Sequence, residues 1–282
     1  MAQLLRIRQR LKAVATIKKI TSAMRLIARA CMTQLTARFE NMHDYHANIK
    51  ELLSIVASQN PFVKSRFLPK TSMSENKLYI CVGAQKGLCG NFNSQLQYWF
   101  YKNKLLLTNP AITLMAVGKG TADFMKRKGY SVAHTFGLLA PQTVNDVTHE
   151  IIRYIKTSPV PYSEVVVISS KSRNFFSHEL TENVVVPLVQ QEQQKTEYAE
   201  EFVCEQEPYV ILEKLLESYS YNIIYMKLLG SLLAEQNARF IAMDSATRNA
   251  NQFLDTMKRQ YNKLRQAKIT KELTELTAHF QN

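Results

Sequence analysis

The sequence predicts an α/β central domain plus a long antiparallel two-helix coiled coil formed by the N- and C-terminal helices. Three observations carry that expectation. Apolar residues recur every three or four positions from Leu4 to Leu35, and they recur at helical spacing again from Leu212 to Phe280. Between these stretches the period shortens to the β-rich runs of a sheet.

The first stripe is Leu4, Ile7, Leu11, Val14, Ile17, Ile20, Met24, Ile27, Cys31 and Leu35. Its steps approach the 3.5-residue repeat of a coiled-coil seam. Neither Gly nor Pro occurs before Pro61. A single helix of about 55 residues is therefore expected, on the order of 80 Å long at ~1.5 Å per residue.

The second stripe begins after Pro208 and includes Leu212, Leu216, Tyr219, Ile223, Met226, Leu233, Phe240, Met243, Phe253, Met257, Tyr261, Leu264, Leu273, Leu276 and Phe280. Only Gly230 interrupts it, and one Gly costs a helix about 1 kcal/mol relative to Ala. A helix of roughly 70 residues follows, about 105 Å long. Stripes of this length must be covered in water, and each is the natural cover for the other. One helix enters the central region and the other leaves it, so they pair antiparallel.

The centre holds four β-rich runs, 78–83, 112–117, 164–169 and 183–188, with helical stretches expected over 92–104, 121–128 and 144–155. Strands alternating with helices read as a small α/β domain with a largely parallel sheet. The Gln- and Glu-rich stretch 190–207 leads into the last helix. The expected division is 1–60 for the first coiled-coil helix, 61–208 for the α/β domain and 209–282 for the second helix.

The chain has 282 residues, 46% of them hydrophobic, which suffices for a buried core. Its formal net charge is +13 and is concentrated at the start, where residues 1–60 carry ten basic and three acidic side chains. Such a run suits an acidic partner: nucleic acid, an anionic membrane surface or a protein with acidic rims. A nucleic-acid binder needs a basic stripe interleaved with aromatics. The last helix instead mixes ten basic and seven acidic residues over 209–282. Cys31, Cys81, Cys89 and Cys204 form no CxxC and no disulfide framework, which points to a reducing compartment. No apolar run reaches the roughly 18–20 residues needed to span a bilayer. The N-terminus is amphipathic, Arg-rich and acid-free, in the manner of a mitochondrial transit peptide.

Little here reads as catalytic. Gly118, Lys119 and Gly120 lack the upstream Gly and the following Ser or Thr of a phosphate-binding P-loop, so they read as a strand-to-helix turn. Gly87, Leu88, Cys89 and Gly90 follow a strand and open a helix. Backbone amides there suit an anion, and Gly also serves tight turns. Cys89 at a helix start has no His at catalytic spacing, and a packed thiol is the simpler reading. His43 and His46 make a weak metal pair with no further ligand. No catalytic residue, cofactor or metal is expected.

Three segments resemble one family. Ile7, Arg8, Gln9, Arg10 and Leu11, followed by Lys19, Ile20, Thr21, Ser22, Ala23 and Met24, resemble the opening helix of F-type rotary ATP synthase gamma subunits. Lys86, Gly87, Leu88, Cys89 and Gly90 with Asn93 are similar to the family's central glycine stretch. The end is the most specific: Glu235–Met243, then Ala246–Ala250, then Tyr261–Glu275, similar to the family motifs EQxARxxAM, ATxNA and YNxxRQxxITxELxE. Ile17 stands where many members have Thr, Cys31 where Lys is usual, and Ala84 and Gln85 where Ser and Asp are frequent.

The resemblance implies a central-stalk rotor shaft that couples proton or sodium flow to ATP synthesis or hydrolysis and has no catalytic residue of its own. It implies alpha, beta and epsilon subunits and the membrane c-ring as partners, one copy per complex, no nucleic acid, and a peripheral place at the bacterial inner membrane or the mitochondrial matrix side. Because the basic N-terminal run matches the family's first helix, the resemblance also weakens the transit-peptide reading. Met24, Glu235 and Arg239 are implied as a coupling region, and Arg265, Gln266, Thr270 and Glu272 as contacts to the surrounding ring.

Overall fold

A chain with no helix breaker at either end folds as helix at both. In the computed structural model, which describes residues 2–59, 67, 75–104, 108–137, 139–159, 161–188 and 206–280, the order is α1 (Ala2–Gln59), β1 (Lys77–Val82), α2 (Phe92–Lys102), β2 (Ile112–Val117), α3 (Lys119–Arg127), β3 (His134–Phe136), α4 (Val144–Thr157), β4 (Glu164–Ser172), β5 (His178–Val186) and α5 (Pro208–Phe280). Pro208 opens α5 at the first helical position, where its missing N–H removes no helical bond. The expected loop 190–207 lies almost wholly outside the described residues.

The five strands form one sheet in the order β3-β2-β1-β4-β5. The first four are parallel and β5 returns antiparallel to β4. The hairpin between them closes on Asn174, whose side-chain oxygen accepts the backbone N–H groups of Phe176 and Ser177 and the Ser177 hydroxyl. β3 was not expected. It is three residues long, too short for periodicity to register. β5 begins at His178 rather than 183 because it is an edge strand whose first half carries Glu179, Thr181 and Glu182 and has no need to be apolar. Pro187 and Leu188, expected in that strand, lie beyond it.

Contacts divide the chain into two units, residues 30–238 and residues 1–29 with 239–282. In the larger unit the sheet is buried on both faces. Leu78, Ile80, Val82, Met115, Val117, Val165 and Val167 face Ile151, Ile152 and Ile155 of α4, with Leu35 and Val56 of α1 and Leu212, Leu216, Ile224 and Leu228 of α5 in the same core. Tyr79, Cys81, Leu114, Ala116, Val166 and Ile168 face Leu96, Trp99 and Phe100 of α2 and Met125 of α3. Each fully buried aliphatic or Phe side chain contributes about 1.5–3 kcal/mol. Burial pushes the Cys81 thiol pKa strongly upward, so Cys81 is a packed, inert thiol.

In the smaller unit the helices run antiparallel: Thr21 meets Thr247, while Arg25, further along α1, meets Asp244, further back on α5. The seam of α1 corrects the sequence reading. Leu4, Ile7, Leu11 and Val14 turn inward as expected, but Ile17, Ile20 and Ile27 are 53%, 54% and 63% exposed. Ser22 and Met24 are half-buried too, but the row facing inward from Lys18 onward is Lys18, Thr21, Arg25 and Ala28. These keep the 3–4 spacing from Leu4, and the isoleucines each stand one residue before a seam position. The partner seam on α5 is Met243, Thr247, Ala250 and Leu254, again in 4–3–4 steps. Phe253 and Leu273, expected in the α5 stripe, are also exposed.

Candidate functional site

In the larger unit, the predicted glycine stretch and Glu235 come together. β1 ends at Val82 and the chain turns through Gly83 and Ala84. Asn93, in the first turn of α2, accepts the Ala84 N–H through its side-chain oxygen at 3.0 Å. Leu88 and Gly90 take left-handed backbone, φ 64° and 60°, and the turn carries Cys89 inward while Leu88 points out, 58% exposed. Gly87 needs no special backbone, and a side chain there would meet open space. Cys89 packs with Ala84 and Phe92 against Ala234 of α5, and its thiol lies 3.6 Å from the Lys86 carbonyl. One position on, the Glu235 carboxylate accepts the Gln85 N–H at 3.1 Å in a 3% exposed setting.

The loop after β2 completes this corner. Gly118 has φ 97°, and a Cβ there would stand 2.5 Å from the Gly83 carbonyl oxygen. The Lys119 N–H reaches the Gln85 side-chain oxygen at 3.3 Å. Gly118 to Gly120 is thus a strand-to-helix turn, as the sequence suggested.

In parallel α/β sheets, ligands bind outside the carboxyl ends of the strands where the strand order reverses. Here that crevice lies between β1 and β4. Ala234, Glu235 and Ala238 of α5 lie against the loop after β1, and the Asn237 amide donates to Ser172 at the end of β4 at 3.0 Å. The chain's own helix thus lies at that crevice, with the Glu235 carboxylate on the Gln85 amide. Among the described residues no group of three or more His, Cys, Asp or Glu is arranged to hold a metal. Nor is any helix long and apolar enough to cross a membrane.

Between α1 and α5 of this unit, His46 is paired, whereas the buried Asn237 side-chain oxygen has no hydrogen-bond partner. His46 Nδ1 lies 3.0 Å from the Asn222 side-chain oxygen, and its ring stacks on Tyr219. Burial holds the His46 pKa below its ordinary value; the hydrogen bond to Asn222 opposes this, and nearby Lys50, His43 and Lys227 reinforce it. Burial lowers Lys227 too, with Lys171 adding like charge.

In the smaller unit, Met24 is half-buried and Arg239 is 6% exposed. Beside Met24, Arg25 Nη1 binds Asp244 Oδ1 at 2.7 Å, and Arg248 holds the other carboxylate oxygen at 3.1 Å. The Thr21 and Thr247 hydroxyls are 2.9 Å apart and almost wholly buried. Towards the end of α5, Arg265, Gln266, Thr270 and Glu272 are exposed, and Glu272 pairs with Lys268 one turn back at 3.2 Å. Sequence reasoning missed Gln85, Thr21, Arg25, Asp244 and Thr247. The available signal was the 3–4 spacing from Leu4 carried through Lys18, Thr21 and Arg25, which attention to apolar residues passes over.

Comparison with known proteins identifies the family. A family profile described as ATP synthase matches residues 3–281. An ATP synthase gamma chain of Pelotomaculum thermopropionicum is 29% identical over 274 residues, covering 96% of this chain and 95% of the relative. One from Paracidovorax citrulli is 30% identical over 284 residues, covering 96% of each. Among solved structures, a chain of the Euglena gracilis mitochondrial ATP synthase, in its OSCP/F1/c-ring portion, shares the fold with a TM-score of 0.68 at 15% identity, covering 99% of this chain and 94% of that one.

Proposed function

We infer that this chain, which belongs to the ATP synthase gamma-chain family, turns as the central-stalk shaft of a rotary ATP synthase and owns no catalytic residue. The observation that carries the reading is the family match over residues 3–281, which takes in both long helices as well as the sheet. The filled crevice at the carboxyl ends of β1 and β4 supports the non-catalytic part, since a nucleotide would have to displace α5.

In this reading the paired helices stand inside a ring of alternating alpha and beta subunits. The sheet unit engages the epsilon subunit and the membrane c-ring, and one copy serves each complex. The chain is peripheral to the membrane, on the cytoplasmic face in a bacterium or the matrix side in a mitochondrion. Rotation brings an asymmetric surface past each beta subunit in turn, and each catalytic site shifts its nucleotide affinity as one conformational state is favoured over another. The exposed Ile17, Ile20, Leu26 and Ile27, with exposed Arg8, Arg10 and Arg29, suit a contact that slides. Apolar surface supplies non-directional adhesion, and the charges favour acidic rims without fixing one angle. Met24, Glu235 and Arg239 set the coupling region, and Arg265, Gln266, Thr270 and Glu272 meet ring loops.

The test is affinity capture of the tagged chain from its native membranes, with ATP hydrolysis assayed on the chain alone and on the captured complex. Alpha, beta and epsilon subunits are expected to co-purify, with hydrolysis in the complex only. Hydrolysis by the chain alone that is lost in Lys119→Ala overturns the reading.

A further inference from the structure

Two settings of α1 compete in the smaller unit. In the observed one, Lys18, Thr21, Arg25 and Ala28 face α5 while Ile17, Ile20 and Ile27 stay in water. Turning α1 about its axis by one residue, about 100°, would bring Ile17, Ile20 and Ile27 into the seam beside Met24, which is half-buried already. Apolar burial alone favours that second setting. Something other than apolar packing must therefore select the first.

The polar pairs supply it. The Asp244 carboxylate is held by Arg25 across the seam and by Arg248 on its own helix, at 2.7 and 3.1 Å. The Thr247 hydroxyl contacts Thr21 at 2.9 Å and the Met243 carbonyl at 2.7 Å, while the Thr21 hydroxyl contacts the Lys18 carbonyl at 3.1 Å. Two hydroxyl hydrogens serve three contacts, so either side can donate across the seam. In the turned setting Ile20 and Met24 would stand opposite Thr247 and Asp244, leaving a buried hydroxyl and a carboxylate without their cross-helix partners. Polar residues in a coiled-coil seam specify register by this penalty on the wrong pairing.

We propose that Arg25–Asp244 and Thr21–Thr247 form a register lock, four positioning residues that hold the isoleucine row outward and so set the face the stalk presents. That the face meets a catalytic ring rests on the function inferred above; that the pairs choose the setting does not.

The experiment separates the two. Reporter cysteines are placed in the full chain, assembled in native membranes, as Thr21→Cys with Thr247→Cys or as Ile20→Cys with Thr247→Cys. The reporter removes the hydroxyl pair, so the ion pair alone then holds the setting. With Asp244 intact, the first reporter is expected to close its disulfide and the second not. With Asp244→Leu and Arg25→Leu added, the yield of the second is expected to rise at least threefold relative to the first. Asp244→Asn, of nearly unchanged size, serves as a milder variant and is expected to shift the ratio the same way. Unchanged ratios in every variant overturn the lock. Without reporters, Asp244→Leu is expected to lower ATP synthesis per ATP hydrolysed at least threefold, and Asp244→Glu to recover most of it. A crosslink shift with unchanged coupling would uphold the lock and defeat its link to the ring.

Discussion

Three glycine-to-alanine changes separate the two kinds of strain that meet at Gly118. Gly118 combines two burdens, left-handed backbone at φ 97° and a neighbour, the Gly83 carbonyl oxygen, 2.5 Å from where Cβ would sit. Left-handed backbone costs an L-residue about 1–2 kcal/mol. The steric conflict is with backbone, so it has no rotamer to relieve it, and overpacking of this kind costs about 1–3 kcal/mol. Gly118→Ala is therefore expected to destabilise by about 2–5 kcal/mol. Gly129 shares the left-handed backbone, φ 77°, but has open space around it. Its alanine bears only the conformational cost, offset by about 0.4–1 kcal/mol from the stiffer unfolded chain, for a net loss of about 1 kcal/mol. Gly87 has neither burden, and its alanine is expected to be neutral or slightly stabilising.

At about 2–4 °C per kcal/mol, Gly118→Ala lowers Tm by about 4–20 °C, Gly129→Ala by about 2–4 °C and Gly87→Ala not at all. The single tryptophan, Trp99, packs against the sheet face next to this corner, so its fluorescence reports melting of the right unit. If Gly118→Ala and Gly129→Ala melt together, the close approach of the two loops is not what makes Gly118 necessary.

Other expectations follow from the same geometry. Glu235→Ala removes the acceptor of the half-buried Gln85 N–H and is expected to destabilise the sheet unit by about 1 kcal/mol or more, while Glu235→Gln keeps an acceptor and loses less, both read by Trp99 melting. Burial lowers the pKa values of His46 and His178 from about 6.5, so the unfolded chain binds protons first as pH falls. Their contribution is complete above about pH 6.5 and is lost as pH drops through the lowered folded values. His46→Gln is expected to flatten the acid limb of a urea-midpoint profile, and an unchanged limb would remove His46 from the account. Met24→Lys is expected to permit assembly and to lower ATP synthesis in membrane vesicles more than hydrolysis. Equal coupling by Met24→Lys and Met24→Leu would leave Met24 as ordinary packing.

The parts of this fold legible in the sequence are those where burial and polarity agree. β1, β2 and β4 are covered on both faces and read as continuous apolar runs, and the helices announce themselves by length without Pro. β3 and the start of β5 were hidden because edge segments carry no burial signature. The seam went astray at residue 17, where polarity and position part: isoleucines stand outside and a threonine and an arginine stand inside, each made admissible by a partner more than 200 residues away. No local pattern contains that partner. Glu235 was reachable through its family motif, yet its task, an acceptor for the Gln85 amide, depends on a turn 150 residues earlier that only folding brings near.

The outward isoleucine row has a bearing on the life of the chain before assembly. A newly made copy carries Ile17, Ile20, Leu26 and Ile27 uncovered, and such surfaces drive self-association and capture by chaperones and proteases. Its net charge of +13 works against clumping, but only while salt is low, since counterions screen exposed charges beyond about 8–10 Å. The orphan is therefore expected to stay dispersed in dilute buffer and to self-associate at physiological ionic strength, so that surplus copies are expected to be lost unless surfaces that cover the row are supplied with them.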